Sequence, residues 1–150
     1  MKTLKYSRQR EFIKNSLAQR CDHPTADMLY TSIRKEFPNI SLGTVYRNLN
    51  LLAEIGEIQK LNFGGGADHF DARTAPHYHF ICKCCHQVSD LPMAPLTEIT
   101  TLAQRYYDGK IDGHSTTFYG ICETCTRGQE KENQEQEHPE NLRTEKEIFS

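Results

Sequence analysis

SLGTVYRNLNLLAEIGEIQKLNFGGGADHFDAR, residues 41–73, changes its hydrophobic period halfway along. In the first half Leu42, Val45, Leu49 and Leu52 recur at helical spacing behind Ser41, whose hydroxyl can cap a helix, and the run stops at Gly56. In the second half EIQKLNF and DHFDAR read as two strands around the turn GGGA, which predicts a hairpin. What precedes this helix-plus-hairpin decides which fold it belongs to.

Upstream, Ser7 is placed to cap a helix through about Gln19, with Phe12, Ile13 and Leu17 as its apolar positions, and His23-Pro24 interrupts the chain. Thr25 then caps a second helix, TADMLYTSIRKEF, predicted to turn Met28, Leu29, Ile33 and Phe37 inward until Pro38 ends it. Residues 1–73 therefore spell three helices and a β-wing, the order of a winged helix-turn-helix whose third helix enters the major groove of DNA. Opposite the apolar stripe of that helix lie Gly43, Tyr46, Arg47 and Asn50. Arg can grip guanine or phosphate, Tyr can reach phosphate or a thymine methyl, and Asn can read adenine, although a solvated polar face would look the same. Charge points the same way. The net charge of the 150 residues is -2, yet residues 1–60 carry ten Lys and Arg against six Asp and Glu, an excess that suits double-stranded DNA as a partner.

Downstream of the short linker 74–76, HYHFICKCCH (residues 77–86) sets three histidines and three cysteines within ten residues. HYHFIC is rich in aromatic and β-branched residues and reads as a strand, so His77 and His79 share one face while Tyr78, Phe80 and Cys82 share the other. A rigid strand cannot easily bring both histidines and the first thiol to one small ion, and two sites are expected rather than one. Four cysteines fall as two C-x-x-C pairs, Cys82/Cys85 and Cys122/Cys125, and four thiolates at tetrahedral geometry suit a structural Zn²⁺. A thioredoxin-like dithiol wants its C-x-x-C at a helix start, and a disulfide framework wants an oxidising compartment. Cys21 and Cys84 are expected to be free thiols, with Cys84 able to exchange with Cys85. The remaining metal-ligating candidates are His23, His69, Asp71, His77, His79, His86, Asp90 and His114, a nitrogen and carboxylate set that suits Fe²⁺ or Mn²⁺ better than thiolates do.

Around these residues, HYHFICK, HQVSDL, a helix from about Leu96 to Asp108 and KIDGHSTTFYGIC make up three strands and one helix, an α+β unit spanning 77–127. The fold class is thus α+β, a winged helix-turn-helix followed by a small domain with structural zinc. Residues 128–150 are polar and acidic and are expected to be disordered or to fray as a polar helix. No apolar run approaches about 18 residues and MKTLKYSRQR lacks a secretory apolar core, so no membrane association is expected and the cytoplasm is the expected location.

Three stretches together, DHPTADMLYTSIRKEFPNISLGTVYRNLNLL, HYHFICKCC and YGICETC, resemble the ferric uptake regulator family of metal-dependent repressors, and most closely its peroxide-sensing branch. The resemblance runs from about Ser7 to Cys125. It implies a homodimer built through the α+β domain, structural zinc on Cys82, Cys85, Cys122 and Cys125, and a regulatory Fe²⁺ or Mn²⁺ on His23, Asp71, His77, His79 and Asp90. It also implies that iron-catalysed oxidation strikes His23 or His77. Iron-uptake members typically carry Glu where Asp71 and Asp90 stand, and zinc-uptake members tend to place a Cys near the wing end, where this chain has HFD. A further site of the iron type would need a His at Pro76 and an Asp at Tyr78, leaving only His114 of that set. His86 stands where the family commonly has Gly, and His69 where a polar residue or Arg is frequent, with the strand parity to compete as a ligand. The family usually has another helix before SRQR, so some contacts to the DNA backbone are expected to be missing.

The expected function is a metal-dependent DNA-binding repressor that senses peroxide, not an enzyme, with an iron-uptake or zinc-uptake regulator as the alternative within the family. From other classes, a zinc-dependent hydrolase would need an open three-ligand zinc beside a general base, and would leave the DNA-reading helix unexplained. A purely structural zinc module would leave the His/Asp set idle.

Overall fold

The computed structural model describes residues 4–64 and 66–137. Three capped helices open the chain: α1 (Arg8–Ala18), α2 (Ala26–Ile33) and α3 (Leu42–Glu54). Each cap is a hydroxyl accepting an otherwise unpaired first-turn N–H: Ser7 from Arg10 at 3.3 Å, Thr25 from Met28 at 3.3 Å, and Ser41 from Thr44 at 3.1 Å. After α3 the chain reverses through Gly56, whose φ of +78° is the left-handed conformation that glycine holds without strain. β1 (Gln59–Leu61) and β2 (His69–Asp71) then pair antiparallel as the wing, with Lys60 opposite Phe70.

The core of this unit lies between the helices and the base of the wing. Ile13 and Leu17 of α1, Leu29 and Ile33 of α2, Val45, Leu49 and Leu52 of α3, and Phe70 of β2 are all buried. Two inward assignments on the second helix come out differently. Met28 is exposed, and α2 ends at Ile33, so Phe37 reaches the core from the following turn and meets the Phe12 ring edge-on at 4.9 Å.

The second unit is a three-stranded sheet in the order β4-β3-β5, from β3 (Tyr78–Cys82), β4 (Val88–Leu91) and β5 (Thr117–Gly120). β3 and β4 are antiparallel and set His79 directly opposite Asp90, while β5 runs parallel to β3 and brings Gly120 beside Cys82. The tight β3–β4 turn passes through His86 at φ +62°, a left-handed conformation that glycine holds with less strain. α4 (Glu98–Gln104) is shorter than the helix expected from Leu96 to Asp108.

α5 (Glu123–Glu137) runs across the boundary drawn at 127, so of the two expectations for the tail, disorder or a polar helix, residues 128–137 follow the second. Its first turn grows out of the second C-x-x-C, so the helix is nucleated by an ordered segment before the polar sequence begins. The rest of the expectation, residues 138–150, lies outside the described residues.

Candidate metal centres

The first centre is made at the ends of β3 and β5. One sulfur from each of Cys82, Cys85, Cys122 and Cys125 lies within 4.8 Å of the others, with Cys85 and Cys122 at 3.8 Å. Three main-chain N–H groups converge on the Cys82 sulfur, from Cys84 at 3.4 Å, Cys85 at 3.5 Å and Cys122 at 3.3 Å. The amides of Cys85 and Cys122 stabilise a thiolate there against its burial, and hold the Cys82 thiol down to about 6. Cys125, sharing protons with Cys122 and Cys84, is pushed well above the ordinary thiol range. Four closed sulfur donors with no open position fit a structural Zn²⁺. Cys84 and Cys21 are both exposed, and neither is among the four.

The second centre draws on four separate segments. His23 comes from the turn before α2, Asp71 from the last residue of β2, and His77, His79 and Asp90 from the ends of β3 and β4. One donor atom from each lies within 4.8 Å of the others. His23 Nε2 is 2.9 Å from Asp90 Oδ1 and 3.2 Å from Asp71 Oδ2. His77 Nε2 is 3.0 and 2.8 Å from the same two oxygens, and His79 Nε2 is 3.5 and 3.2 Å from them. Ligands held about 2.1 Å from a divalent ion at right angles stand about 3.0 Å apart, so these spacings fit adjacent ligands of one ion.

The chemistry of the donors gives a second test of that fit. His77 Nδ1–H donates to the Ala75 carbonyl at 2.7 Å, so in the neutral ring Nε2 carries the lone pair. That lone pair faces a carboxylate oxygen, an arrangement that is favourable only with a proton or a cation between them. The side chains of His23 and His77 are 3% and 2% exposed and that of Asp71 10%, so water screens Asp71 poorly, whereas Asp90, on the open side of the cluster, is 39% exposed. Burial works against a charged His23, but hydrogen bonds and charge from Asp71 and Asp90 outweigh it and raise its pKa. Burial likewise opposes ionised Asp71, yet bonds from His23, His79 and the Arg73 N–H hold its carboxyl far below the usual range. Three imidazoles and two carboxylates in this state form a preformed pocket for a borderline-hard divalent cation.

His69, which strand parity allowed as a competing ligand, stands outside the five donors: its Nδ1–H donates to the main-chain carbonyl of His23 at 2.7 Å. This link joins β2 to the turn before α2, and periodicity in sequence carries no signal for it. His114 hydrogen-bonds Tyr78 Oη at 2.8 Å and Thr100 Oγ1 at 3.0 Å, and His86 serves the turn after the thiols. On α3, Arg47 and Asn50 are exposed, whereas Tyr46 is half-buried against the core. Arg47 Nη2 donates to Thr44 Oγ1 at 3.1 Å, and Asn50 Oδ1 accepts from Lys60 Nζ of the wing at 3.1 Å. Among the described residues no helix is long and apolar enough to cross a membrane.

The chain is similar to known metalloregulators over most of its length. It is 38% identical over 117 residues to the peroxide-responsive repressor PerR of Staphylococcus aureus, covering 78% of this chain and 79% of that one. Among solved structures it resembles a Campylobacter jejuni peroxide stress regulator, with 33% identity, a TM-score of 0.68, and coverage of 78% of this chain and 88% of the other. It also resembles the Helicobacter pylori ferric uptake regulator Fur, a protein with three functional metal-binding sites, at 26% identity and a TM-score of 0.71 over 82% and 83% of the two chains. The model of the ferric uptake regulator family matches residues 1–119, and with the winged helix and the two donor clusters above, the chain belongs to that family of metal-responsive transcriptional regulators rather than to any class of enzyme.

Proposed function

We propose that the chain is a metal-dependent repressor of the peroxide-responsive kind, acting in the cytoplasm as a homodimer on double-stranded operator DNA. Residues 1–73 are the DNA-binding domain, 74–76 the linker and 77–127 the dimerisation domain, extended by α5. Cys82, Cys85, Cys122 and Cys125 hold structural Zn²⁺, and His23, Asp71, His77, His79 and Asp90 hold regulatory Fe²⁺ or Mn²⁺. The observation that carries this reading is the origin of the five donors: His23 and Asp71 come from the winged helix and its wing, the other three from the sheet and the residue leading into it. A cation held by all five ties the DNA-reading unit to the dimerising unit and sets the spacing of two heads on an operator. Arg47, Asn50 and Tyr46 then meet the DNA.

Two features favour peroxide sensing over iron or zinc uptake: carboxylates at 71 and 90 come from Asp rather than Glu, and the Staphylococcus aureus repressor is 38% identical. The chemistry that Fe²⁺ supplies when bound is reduction of hydrogen peroxide beside its own ligands, which Mn²⁺ supplies poorly. His23 and His77 present Nε2 to the centre from buried rings, so an oxygen atom added to either ring degrades a donor that solvent cannot replace. The clasp between the units then opens and DNA is released.

The test starts from zinc-loaded protein supplied with Fe²⁺ or Mn²⁺ under anaerobic conditions and presented with random-sequence duplexes. Retention of a defined sequence by both forms is expected, with peroxide releasing only the iron form and mass spectrometry finding one added oxygen on the His23 or His77 peptide. DNA release that tracks thiol oxidation and zinc loss, with the histidines untouched, would move the sensor to the cysteine centre.

A further inference from the structure

His23 and His77 reach the same cluster with unequal support. The His77 ring is fixed from behind by its Nδ1–H bond to Ala75, the usual arrangement that orients a metal-ligating imidazole. His23 Nδ1 is buried and has no hydrogen-bond partner among the described residues. Its ring meets Asp90 and Asp71 through Nε2 and makes an edge contact with His79 at 5.1 Å between centroids, but nothing fixes it from behind, so its approach to the cluster depends on the backbone that carries it. That backbone is unusual: His23 has φ +48°, a left-handed conformation that a side chain disfavours and that persists only where the surroundings enforce it.

The enforcement comes from β2. Phe70 N–H donates to Pro24 O at 3.0 Å, and Thr25 bridges His69 as an isolated antiparallel pair. These act one and two residues beyond His23. The group that holds the carbonyl of His23 itself, and hence its ψ, is the His69 side chain, at 2.7 Å. The His69 ring is backed by Phe63 at 5.8 Å, which also lies 6.3 Å from the His79 ring, so the wing loop leans on the centre from the same side.

We propose that His69 is a positioning residue for the regulatory centre: by donating its Nδ1–H to the His23 carbonyl it holds the left-handed backbone that keeps the His23 ring among the other four donors. This rests on the reading of His23 as a metal ligand. It also makes the wing a part of the metal centre twice over, once through Asp71 and once through His69.

Two variants of nearly equal shape separate the hydrogen bond from mere packing. Asn places an amide N–H close to where Nδ1–H stands, and Leu offers none. In full-length zinc-loaded protein, Mn²⁺ affinity measured by electron paramagnetic resonance titration should weaken about 10- to 100-fold in His69→Leu and return to within about threefold of wild type in His69→Asn. Zinc content should be unchanged, and both variants should retain the selected duplex normally once Mn²⁺ is saturating. Equal Mn²⁺ affinity in wild type and His69→Leu overturns the proposal, as does His69→Asn binding no better than His69→Leu. Weakened DNA retention at saturating Mn²⁺ with unchanged Mn²⁺ affinity overturns it too, because His69 would then be touching DNA. If His69→Leu loses zinc or fails to fold, His69→Asn still decides, since a tenfold weakening there contradicts the proposal. Asp71→Asn serves as the control: if it leaves wild-type Mn²⁺ affinity intact, the functional reading fails and not this inference alone.

Discussion

The two donor clusters differ in where their ligands come from, and the difference separates folding from switching. The four thiols belong to two C-x-x-C turns at neighbouring ends of β3 and β5, inside one sheet. The five His and Asp donors span 67 positions, from His23 to Asp90, and join the winged-helix unit, whose hydrophobic core takes its buried residues from Ile13 to Phe70, to the sheet unit. A cation in the first cluster closes loops within a domain; a cation in the second closes the gap between domains. Ligand chemistry follows the same division, since thiolates grip zinc firmly and without redox change, whereas imidazole and carboxylate bind exchangeable, redox-active ions more loosely.

The sharpest way to break this distinction is to attack the thiols. Cys122→Ser removes one of the four clustered thiols and also disturbs the turn whose N–H reaches the Cys82 sulfur. Structural zinc contributes on the order of 10 kcal/mol in small zinc domains, so loss of zinc, of the dimer and of cooperative unfolding in the sheet domain is expected. The winged-helix unit, with its own buried core, should keep its helical circular dichroism. A dimer that survives zinc loss intact would mean that the thiols are not what holds the sheet together.

Asp71→Asn should show the opposite pattern. Asp71 Oδ2 lies within 3.2 Å of all three imidazole nitrogens. Removing a buried charge that its partners depend on costs about 3 to 5 kcal/mol, which corresponds to at least a hundredfold loss of Mn²⁺ affinity. Zinc content, dimerisation and thermal unfolding of the sheet domain should be unchanged. Parallel loss of zinc in equilibrium dialysis would merge the two centres into one cooperative unit.

How much of this was legible in the sequence depends on the range of the interactions involved. Ser7, Thr25 and Ser41 could be named as caps because a cap is a contact over three residues, and all three make the bond. Period alone indicated that His77 and His79 share a strand face and that the wing follows α3. Long-range pairing left no such trace. The parallel partnership of β3 and β5 depends on a crossover of some 35 residues, and the left-handed His23 backbone depends on β2, which lies more than 40 residues away. Length at helix ends was also poorly marked: the polar sequence from Gly128 allowed either disorder or a polar helix, and α5 continues through it to Glu137.

Acidity should sharpen the contrast through the sign of its effect on the clasp. In the metal-free protein the raised pKa of His23 means that its ion pairing with Asp71 and Asp90 is fully present below the ordinary imidazole value and fades as pH rises through the raised one. Asp71, depressed, contributes above the ordinary carboxyl range and fails only in acid. A cation reverses the trend, because it needs the imidazoles without their protons. Mn²⁺ affinity should therefore climb by up to about tenfold per pH unit for each proton displaced as pH rises through the imidazole range, while metal-free docking weakens. Protease cleavage in the 74–76 linker reads both: it should increase with pH without metal and decrease with pH when Mn²⁺ is present. The same slope in both forms would show that His23 does not change partners.

The smallest expected effect lies away from both clusters, on the face of α3. Arg47 is exposed, but its Nη2 is occupied by Thr44 Oγ1, so contact with DNA must exchange one hydrogen bond for another. Arg47→Ala should accordingly weaken retention of the selected duplex by about 1 kcal/mol, at the low end for a base contact, and relax the sequence preference at one position. Zinc content, Mn²⁺ affinity and dimerisation should not move, since Arg47 touches neither cluster. The salt dependence distinguishes what the guanidinium grips. A base contact leaves the slope of affinity against salt nearly unchanged, whereas a phosphate contact lowers it by about one unit and weakens all sequences alike. Normal affinity, specificity and slope in the variant would put recognition on another surface and leave the two metal centres to act through a different set of DNA contacts.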